Sequence, residues 1–489
     1  MTDGGDHMEI TETMRINRII VQNAGMMNED RFFTVQIREW LSSQKRQEQL
    51  DGERYYAGDH DILHRKRTVI GEGGELVKVD NLPNNRLIDN QYALMVDQKT
   101  NYLVGKPISV NSDDKAAVEK VNEVLDKRFR RTLKYTAEDA LKGGLAWMFP
   151  RIEENQLVFD HFPAWEILPF WSDADHTRLD CAVRLYELEC WTGTARKTVR
   201  KVEIFRSDGL YRYELSGDAL VPDVELGEYE AYITKGGSPM NWDRIPLIPF
   251  KYNKGEIPLL RRVRSLQDAI NELISDFMNN MQEDARNTIL VIRNYDGQDL
   301  GEFRRNLASY GAVKVREDGS VDTLTVTVDS TNYKELLDLL KKALIENARG
   351  YNAKDDRMGV NPNQMNIQSM YSDIDLDANG MEAEFQAAMD EVLWFVSTWA
   401  GGLPVDDINI VFNRDILINE SEAIDNCSKS AGILSAETIV EQHPWTVDAK
   451  TELDRLAKEK EERMEDYPDL FPQQKKTDQE EEEDGDDEA

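Results

Sequence analysis

Residues 367–399 read IQSMYSDIDLDANGMEAEFQAAMDEVLWFVSTW. Apolar side chains return at three- and four-residue spacing through the whole stretch: Ile367, Met370, Ile374, Ala378, Met381, Phe385, Met389, Val392, Val396 and Trp399. That period belongs to one helical face. The spacing therefore predicts a single helix over Ile367–Trp399, roughly 50 Å long at the usual rise per residue. It holds seven carboxylates and no Lys or Arg, and stops at Gly401-Gly402. Before it lies a polar segment, Asn352–Asn366 (NAKDDRMGVNPNQMN), interrupted by Gly359 and Pro362. Loops of this length inside compact regions are uncommon and often functional.

Further upstream, two helices bracket a small insert. Ser265–Asp284 sets Leu266, Ala269, Ile270, Leu273, Ile274, Phe277 and Met281 on one face, and Asn332–Arg349 does the same with Leu336, Leu337, Leu340, Ala343 and Leu344. Between them the pattern predicts a strand at Thr288–Arg293, a short helix at Leu300–Tyr310, and strands at Gly311–Val315 and Thr323–Val328 either side of an Asp318-Gly319 turn. From Gly144 to Tyr252 short β-branched and aromatic runs alternate with turns such as Ser207-Asp208-Gly209, an antiparallel region. Earlier still, helices are expected at Arg31–Gln49 (then a turn at Tyr55–Asp59), Arg86–Val104, Asp114–Phe129 and Thr132–Lys142. Beyond the long helix come a strand at Ile408–Phe412, helices starting near Asn419 and Ser435, and a charged helix at Val447–Glu465. Asn419 and Glu422 are spaced as a capping box. No internal repeat is visible, and the fold class is α+β.

Charge excludes one large class of function. The chain has 489 residues, with 59 Lys plus Arg against 93 Asp plus Glu, a net charge of −34. Conventional nucleic-acid binders gain affinity by neutralising phosphates with cations, and this chain repels them. Part of the excess sits in the tail, where Asp478–Ala489 carries nine carboxylates and no base. Three cysteines, Cys181, Cys190 and Cys427, without CxxC spacing, fit a reducing compartment. The opening MTDGGDHMEI has no signal-peptide character, and no apolar run approaches a membrane span. The expectation is a soluble chain made in the cytosol.

Enzyme signatures are missing as well: no P-loop, HExxH, GxSxG or kinase set occurs. Gly71-Glu72-Gly73-Gly74 lacks the glycine register that cradles a phosphate. His60 and His64 lie one helical turn apart beside Asp59 and Asp61, but a metal site needs further ligands, so no metal and no cofactor are assigned. Asp373, Asp375, Asp377 and Glu384 imitate a calcium loop, yet Ala378 stands where the sharp turn requires Gly. An acidic helix face is the preferred reading, with calcium as the alternative. The same four carboxylates would serve a metal-dependent nuclease, the competing class of function. The aromatic segment Phe159–Trp171 has no interleaved cations and reads as core.

Several phrases, in order, resemble the portal (head-to-tail connector) proteins of tailed double-stranded-DNA bacteriophages, in the long-tailed branch. They are Tyr55-Tyr56-Ala57-Gly58, Asn90–Pro107, Ile245–Tyr252 (IPLIPFKY), Asp276–Ile292, Asn363–Phe395, Phe412-Asn413-Arg414 and Gly432–Thr438. The resemblance implies a wing over 1–263 with a return strand at 405–417, stem helices at 264–284 and 331–351, a clip at 285–330, a tunnel loop at 352–366, the long helix at 367–402, a helical crown at 418–465 and a disordered acidic tail at 466–489. Such a subunit is an elongated α+β protein, with an α/β wing of antiparallel strands and a small α/β clip. It also implies a ring of about twelve subunits at the capsid vertex, through which double-stranded DNA passes non-specifically during packaging and ejection. The implied partners are terminase, head-completion or adaptor proteins, scaffold and the major capsid protein, with no membrane and no catalysis. The implied location is the virion, and the host cytoplasm during assembly. A capsid scaffold without a channel is the other alternative.

A DNA channel has to guide without gripping. Cations on its wall would add affinity with each phosphate met, so carboxylates such as Asp373, Asp375 and Asp377 suit the lining. In the tunnel loop Lys354 and Arg357 offset Asp355 and Asp356, and with Met358 these are the expected DNA-facing residues. The clip mixes charges, which suits a protein partner. Arg293, Asp296, Glu302, Arg304 and Arg305 are its candidate contacts, with salt bridges between subunits as the other reading.

Overall fold

The computed structural model describes residues 29–70, 74–78, 82–235, 238–284, 288–295, 315–325, 330–352, 364–405, 407–414, 420–446 and 449–466. The chain divides into two compact units, residues 1–352 with 371–415, and residues 353–370 with 416–489.

The first unit opens with two helices where the periodicity predicts one. Helix α1 (Glu29–Leu41) and α2 (Gln44–Tyr56) are separated at Ser43, whose hydroxyl accepts the Arg46 N–H and so starts a new helix. The expected turn begins only at Ala57, since Tyr55 and Tyr56 still belong to α2. Helix α3 (Gln91–Val104) starts on the Asn90 side chain and stops before Gly105 and Pro107. Helix α4 (Lys115–Val124) ends sooner than expected because Asp126 caps the next helix, α5 (Lys127–Gly143), by accepting the Phe129 N–H. Gly144 ends α5 at φ 84°, and a Cβ there would sit 2.1 Å from the Glu256 carbonyl oxygen, so glycine is required.

Two antiparallel sheets follow. Leu145–Glu153 is the centre of a three-stranded sheet between Ile248–Lys251 and Gln156–Pro163. Its hairpin turns at Glu154 and Asn155, both at positive φ, the geometry that matches strand twist. The larger sheet runs Ala219–Pro222, Gly209–Ser216, Ala195–Arg206, Leu179–Thr192, Ile167–Trp171, and Tyr229–Glu230 also joins Gly209–Ser216. Helix α1 lays Phe32, Phe33, Ile37 and Trp40 on one face of it, against Phe170, Val183, Val202 and Ile204. Trp147, Phe162, Trp171, Phe205 and Leu247 form a further cluster. The Phe159–Trp171 segment is core: Phe159, Phe162, Phe170 and Trp171 are all buried. Cys181 is buried there, and none of Cys181, Cys190 and Cys427 is in a disulfide.

Helix α6 (Leu260–Asp284) starts earlier than expected, and α7 (Ser330–Asn347) lies beside it. Phe277 and Tyr333 are in ring contact at 4.7 Å, and Asn280 donates to the Tyr333 hydroxyl at 3.2 Å. Between them Thr288–Tyr295 pairs antiparallel with Val315–Thr325. The Asp318-Gly319 turn expected to separate two strands lies inside that one strand. The register shifts between Arg293 and Tyr295, so the Asp-Gly pair is absorbed by an irregularity rather than a reversal. The expected helix at Leu300–Tyr310 lies outside the described residues.

Helix α8 (Gln364–Trp399) is continuous, and Gly401 and Gly402 leave it at φ 87° and 93°. Asn409–Val411 then returns to pair with Ser109–Asn111. The largest core joins α3, α4, α5 and the small sheet to α8 through Tyr92, Leu103, Phe129, Phe250, Phe385, Val392 and Phe395. The second unit holds α9 (Glu420–Ser430), α10 (Ala436–Glu441), capped by Ser435, and α11 (Ala449–Asp466). Asn419, the expected cap, is outside the described residues.

Candidate channel helix and its anchorage

The seven carboxylates of α8 do not behave alike. Asp377 is 8% exposed. Its Oδ2 accepts from Lys99 Nζ at 2.7 Å and from the Tyr252 hydroxyl at 2.7 Å, and its Oδ1 from Arg262 at 3.0 Å, with Arg349 at 3.9 Å. Burial alone would push its carboxyl up, but Lys99, Tyr252 and Arg262 outweigh burial and hold it below the ordinary range. Burial pulls the Lys99 ammonium down and pushes the Tyr252 hydroxyl well up. The charged form of Asp377 is the one the site is built for. Lys99 comes from α3, Tyr252 from the end of the small sheet and Arg262 from α6, so one carboxylate ties three elements to α8.

On another side of the helix, Arg414 reaches Asp375 and Glu382, each at 2.5 Å, and Asn379 between them. The spacing of seven puts both carboxylates on one face two turns apart, within one guanidinium fork. Tyr102 donates to Asp375 at 2.6 Å, and its ring stacks on Tyr371. Farther along, Glu391 pairs with Arg244 at 2.6 Å. Asp373, Glu384 and Asp390 have no ion pair among the described residues; Asp373 and Asp390 are exposed, Glu384 half-buried.

Of the three carboxylates expected to line a channel, Asp373 is exposed, Asp375 is half-buried and shared by Arg414 and Tyr102, and Asp377 is buried inside the subunit. The calcium-loop and nuclease readings meet an obstacle: the segment is helix throughout, and cations of the chain itself already occupy Asp375 and Asp377. His60 is buried, its Nε2 donating to the Tyr55 carbonyl at 2.9 Å, while Nδ1 accepts from Asn271 at 2.8 Å. Among the described residues His64 meets Asp59, at 3.1 Å. The two histidines do not face a common point. The backbone of Arg293 lies in the Thr288–Tyr295 strand; its side chain, Asp296, Glu302, Arg304, Arg305 and Lys354, Asp355, Asp356, Arg357 and Met358 lie outside the described residues.

Sequence reasoning missed a second anchorage. Helix α6 buries Gln267, Asn271, Ser275 and Asn279, four polar residues one turn apart. Each accepts a backbone N–H: Asn279 from Asn85 at 2.7 Å, Ser275 from Leu87 at 2.9 Å and Asn271 from Asp89 at 3.0 Å, all in the extended strap before α3, and Gln267 from Tyr92 at 2.9 Å in the first turn of α3. Four helical residues rise about 6.0 Å and two extended residues about 6.6 Å, so the two periods match over the three contacts from Asn85 to Asp89. The signal was in the sequence, as polar residues every fourth position on a helix otherwise read for its apolar face.

A helix pair flanking a small β insert, a long acidic helix beside it and a sheet-rich body define a subunit of the head-to-tail connector class. The comparisons agree. The family described as "Phage portal protein, SPP1 Gp6-like" matches residues 42–466, and the chain belongs to that family. The portal protein of Bacillus phage SPP1 is 29% identical over 460 residues, covering 92% of this chain and 90% of the relative. That of Clostridium phage phiCD119 is 26% identical over 423 residues, 83% and 91% of the two chains. Two solved structures are similar at 10% identity: the neck of an empty gene transfer agent particle, with TM-score 0.41 over 72% of this chain and 88% of that one, and the virion of the native particle, with TM-score 0.40 over 71% and 87%. The protein is a phage portal protein, a structural component of the virion. Among the described residues no helix is long and apolar enough to cross a membrane.

Proposed function

We propose that copies of this chain close into a ring at the capsid vertex, of about twelve subunits, around a bore through which double-stranded DNA is packaged and ejected. The family match over 42–466 carries this reading. Helix α8 supports it chemically, because it offers DNA no Lys or Arg. Its free carboxylates, Asp373 first, keep the polymer hydrated, while Asp375, Asp377 and Glu382 hold the helix in place. Lys354 and Arg357, balanced by Asp355 and Asp356, touch passing phosphates weakly, with Met358 beside them. The 285–330 segment meets terminase and then the head-completion proteins through Arg293, Asp296, Glu302, Arg304 and Arg305. The ring also meets scaffold and the major capsid protein during assembly in the host cytoplasm. The ring catalyses nothing and reads no sequence.

Electron microscopy of the purified chain tests the reading directly. Rings with an axial opening are expected; particles without one would sink it. For the loop, replacing Lys354, Arg357 and Met358 together with Ala is expected to lower packaged DNA, and full packaging would remove the loop from the DNA path.

A further inference from the structure

Two surfaces of the larger sheet in the first unit are unfinished in a single copy. The Leu179–Thr192 and Ala195–Arg206 strands pair continuously from Ala182 with Phe205 to Thr192 with Ala195. Their flanking strands stop early, at Arg184 on one side and Lys201 on the other. Residues 187–192 and 195–200 therefore leave the sheet as a two-stranded arm, about 20 Å long. Among the described residues these arm segments pair only with each other. A lone two-stranded ribbon is marginal in water, so an arm of this length calls for a second surface. Its exposed apolar groups are Trp191, 69% exposed, and Leu188, 43%. It carries Arg196, Lys197 and Arg200 against Glu187 and Glu189, an excess of cations in a chain of net charge −34. Arg196 and Arg200 are paired with Glu189 and Glu187, which leaves Lys197 as the cation with no ion pair among the described residues.

The second surface is the loop Pro222–Glu230 (PDVELGEYE), with four carboxylates and no base. Asp223 is buried, binds Lys201 at 2.8 Å and accepts the Glu225 and Leu226 N–H groups, so the loop is held in shape. It presents Val224, 92% exposed, and Leu226, 60%, on either side of Glu225.

We infer that the arm of one copy docks on the 222–230 loop of the next. Leu188 and Lys197 share one face of the arm, opposite to Trp191, which lies against Arg196. On the face they share, Leu188 covers Val224 and Leu226, and Lys197 meets Glu225. The two surfaces are complementary in both polarity and charge. The arm tip cannot serve its own loop, because that loop reaches the sheet at Lys201, where the arm begins, and the tip lies about 20 Å beyond. Contact between two different surfaces of identical copies is heterologous, and a heterologous contact that closes makes a ring. The inference rests on the ring reading above.

The test uses the full-length chain with Cys190→Ser and Cys427→Ser, adding Thr194→Cys and Leu226→Cys. The unsubstituted protein is imaged first; if it forms no ring, the ring reading itself fails. Given rings, oxidation is expected to give a ladder of covalently linked copies on a denaturing gel. Rings with no ladder, or with links only inside one chain, overturn the docking. Lys197→Glu and Glu225→Lys are each expected to raise the concentration for half-assembly roughly tenfold, the scale of a close interfacial charge pair, and their combination to restore it. Thermal melting of the unassembled variants should match that of the parent. Normal assembly by both variants with loss only of capsid incorporation assigns the arm to another protein, and that also overturns the proposal.

Discussion

Helix α6 is fastened to its neighbour by neutral groups, and helix α8 by charged ones. On α6, Gln267, Asn271, Ser275 and Asn279 each hold one backbone N–H of the strap or of the first turn of α3 that follows it. On α8, Asp377 alone gathers Lys99, Tyr252 and Arg262. The neutral ladder spreads its hold over many modest contacts, and loss of one rung leaves three. The ionic hub concentrates its hold, and loss of its centre leaves buried cations facing one another. An element bound by a ladder is hard to release at any single point; one bound by a hub can be released there.

The largest effect is accordingly expected at the hub. Asp377→Ala strands Lys99 and Arg262 and should cost about 3–5 kcal/mol, the scale of breaking a buried ion pair. Urea unfolding measures it. Lys99→Met in the same background should cost much less than it does alone, because the two residues share one interaction. Next comes a single rung. Asn271→Ala leaves the Asp89 N–H without its acceptor and removes the donor to His60, for a loss of about 1–3 kcal/mol. Gln267→Ala and Asn279→Ala, at opposite ends of the ladder, should add. Strong non-additivity there would mean that the ladder behaves as one unit, and the contrast with the hub would fall.

Acid separates the two anchorages more finely. Asn271 Oδ1 accepts from Asp89 and Gln267, so its amide nitrogen faces His60 Nδ1 as a donor, and the Tyr55 carbonyl fixes the other proton on Nε2. A second ring proton has no place. Burial, with Arg54 nearby, holds the His60 imidazole below its ordinary 6.5. The unfolded chain thus takes up that proton first, and stability falls as pH drops from 6.5 through the lower folded value. Asp377, held below 3.8, keeps its contribution above that pH and loses it only as pH falls further. Asp61 adds to the second step: burial raises its carboxyl, but Arg264 and Arg54 bring it to about 2. Urea midpoints measured against pH should show two falls. His60→Gln, which can keep both hydrogen bonds without titrating, should flatten the first and spare the second.

The sequence made some of this legible and hid the rest. Helix α8 was readable because ten apolar positions keep one period over 33 residues. The phrase Phe412-Asn413-Arg414 carried family resemblance, and all three of its side chains are engaged in the fold. Phe412 is buried near Phe385, Asn413 donates to the Pro107 carbonyl at 2.6 Å, and Arg414 clamps α8. In Ile245–Tyr252, Phe250 packs on Phe385 and Tyr252 reaches Asp377. The partners of the carboxylates could not be read. Lys99 and Asp377 are 278 residues apart, and no local pattern announces such a pair. The break at Ser43 and the Asp126 cap were missed for the opposite reason. They are single polar residues inside apolar periods that continue across them.

The smallest effect on stability is expected where the two anchorages leave α8 alone. Asp373 and Glu384 are eleven residues apart, which is within about 20° of three full turns, so they share one stripe. Neither has an ion pair among the described residues, and substitutions at such sites usually stay within about 0.5 kcal/mol. Asp373→Lys with Glu384→Lys should therefore leave the urea midpoint nearly unmoved. The effect on DNA should be larger. If the stripe faces the bore, each lysine that reaches a phosphate steepens the salt dependence of DNA retention, by about 0.9 per contact on logarithmic axes. An unchanged slope in rings of normal appearance would turn the stripe away from the DNA and leave α8 as a strut alone.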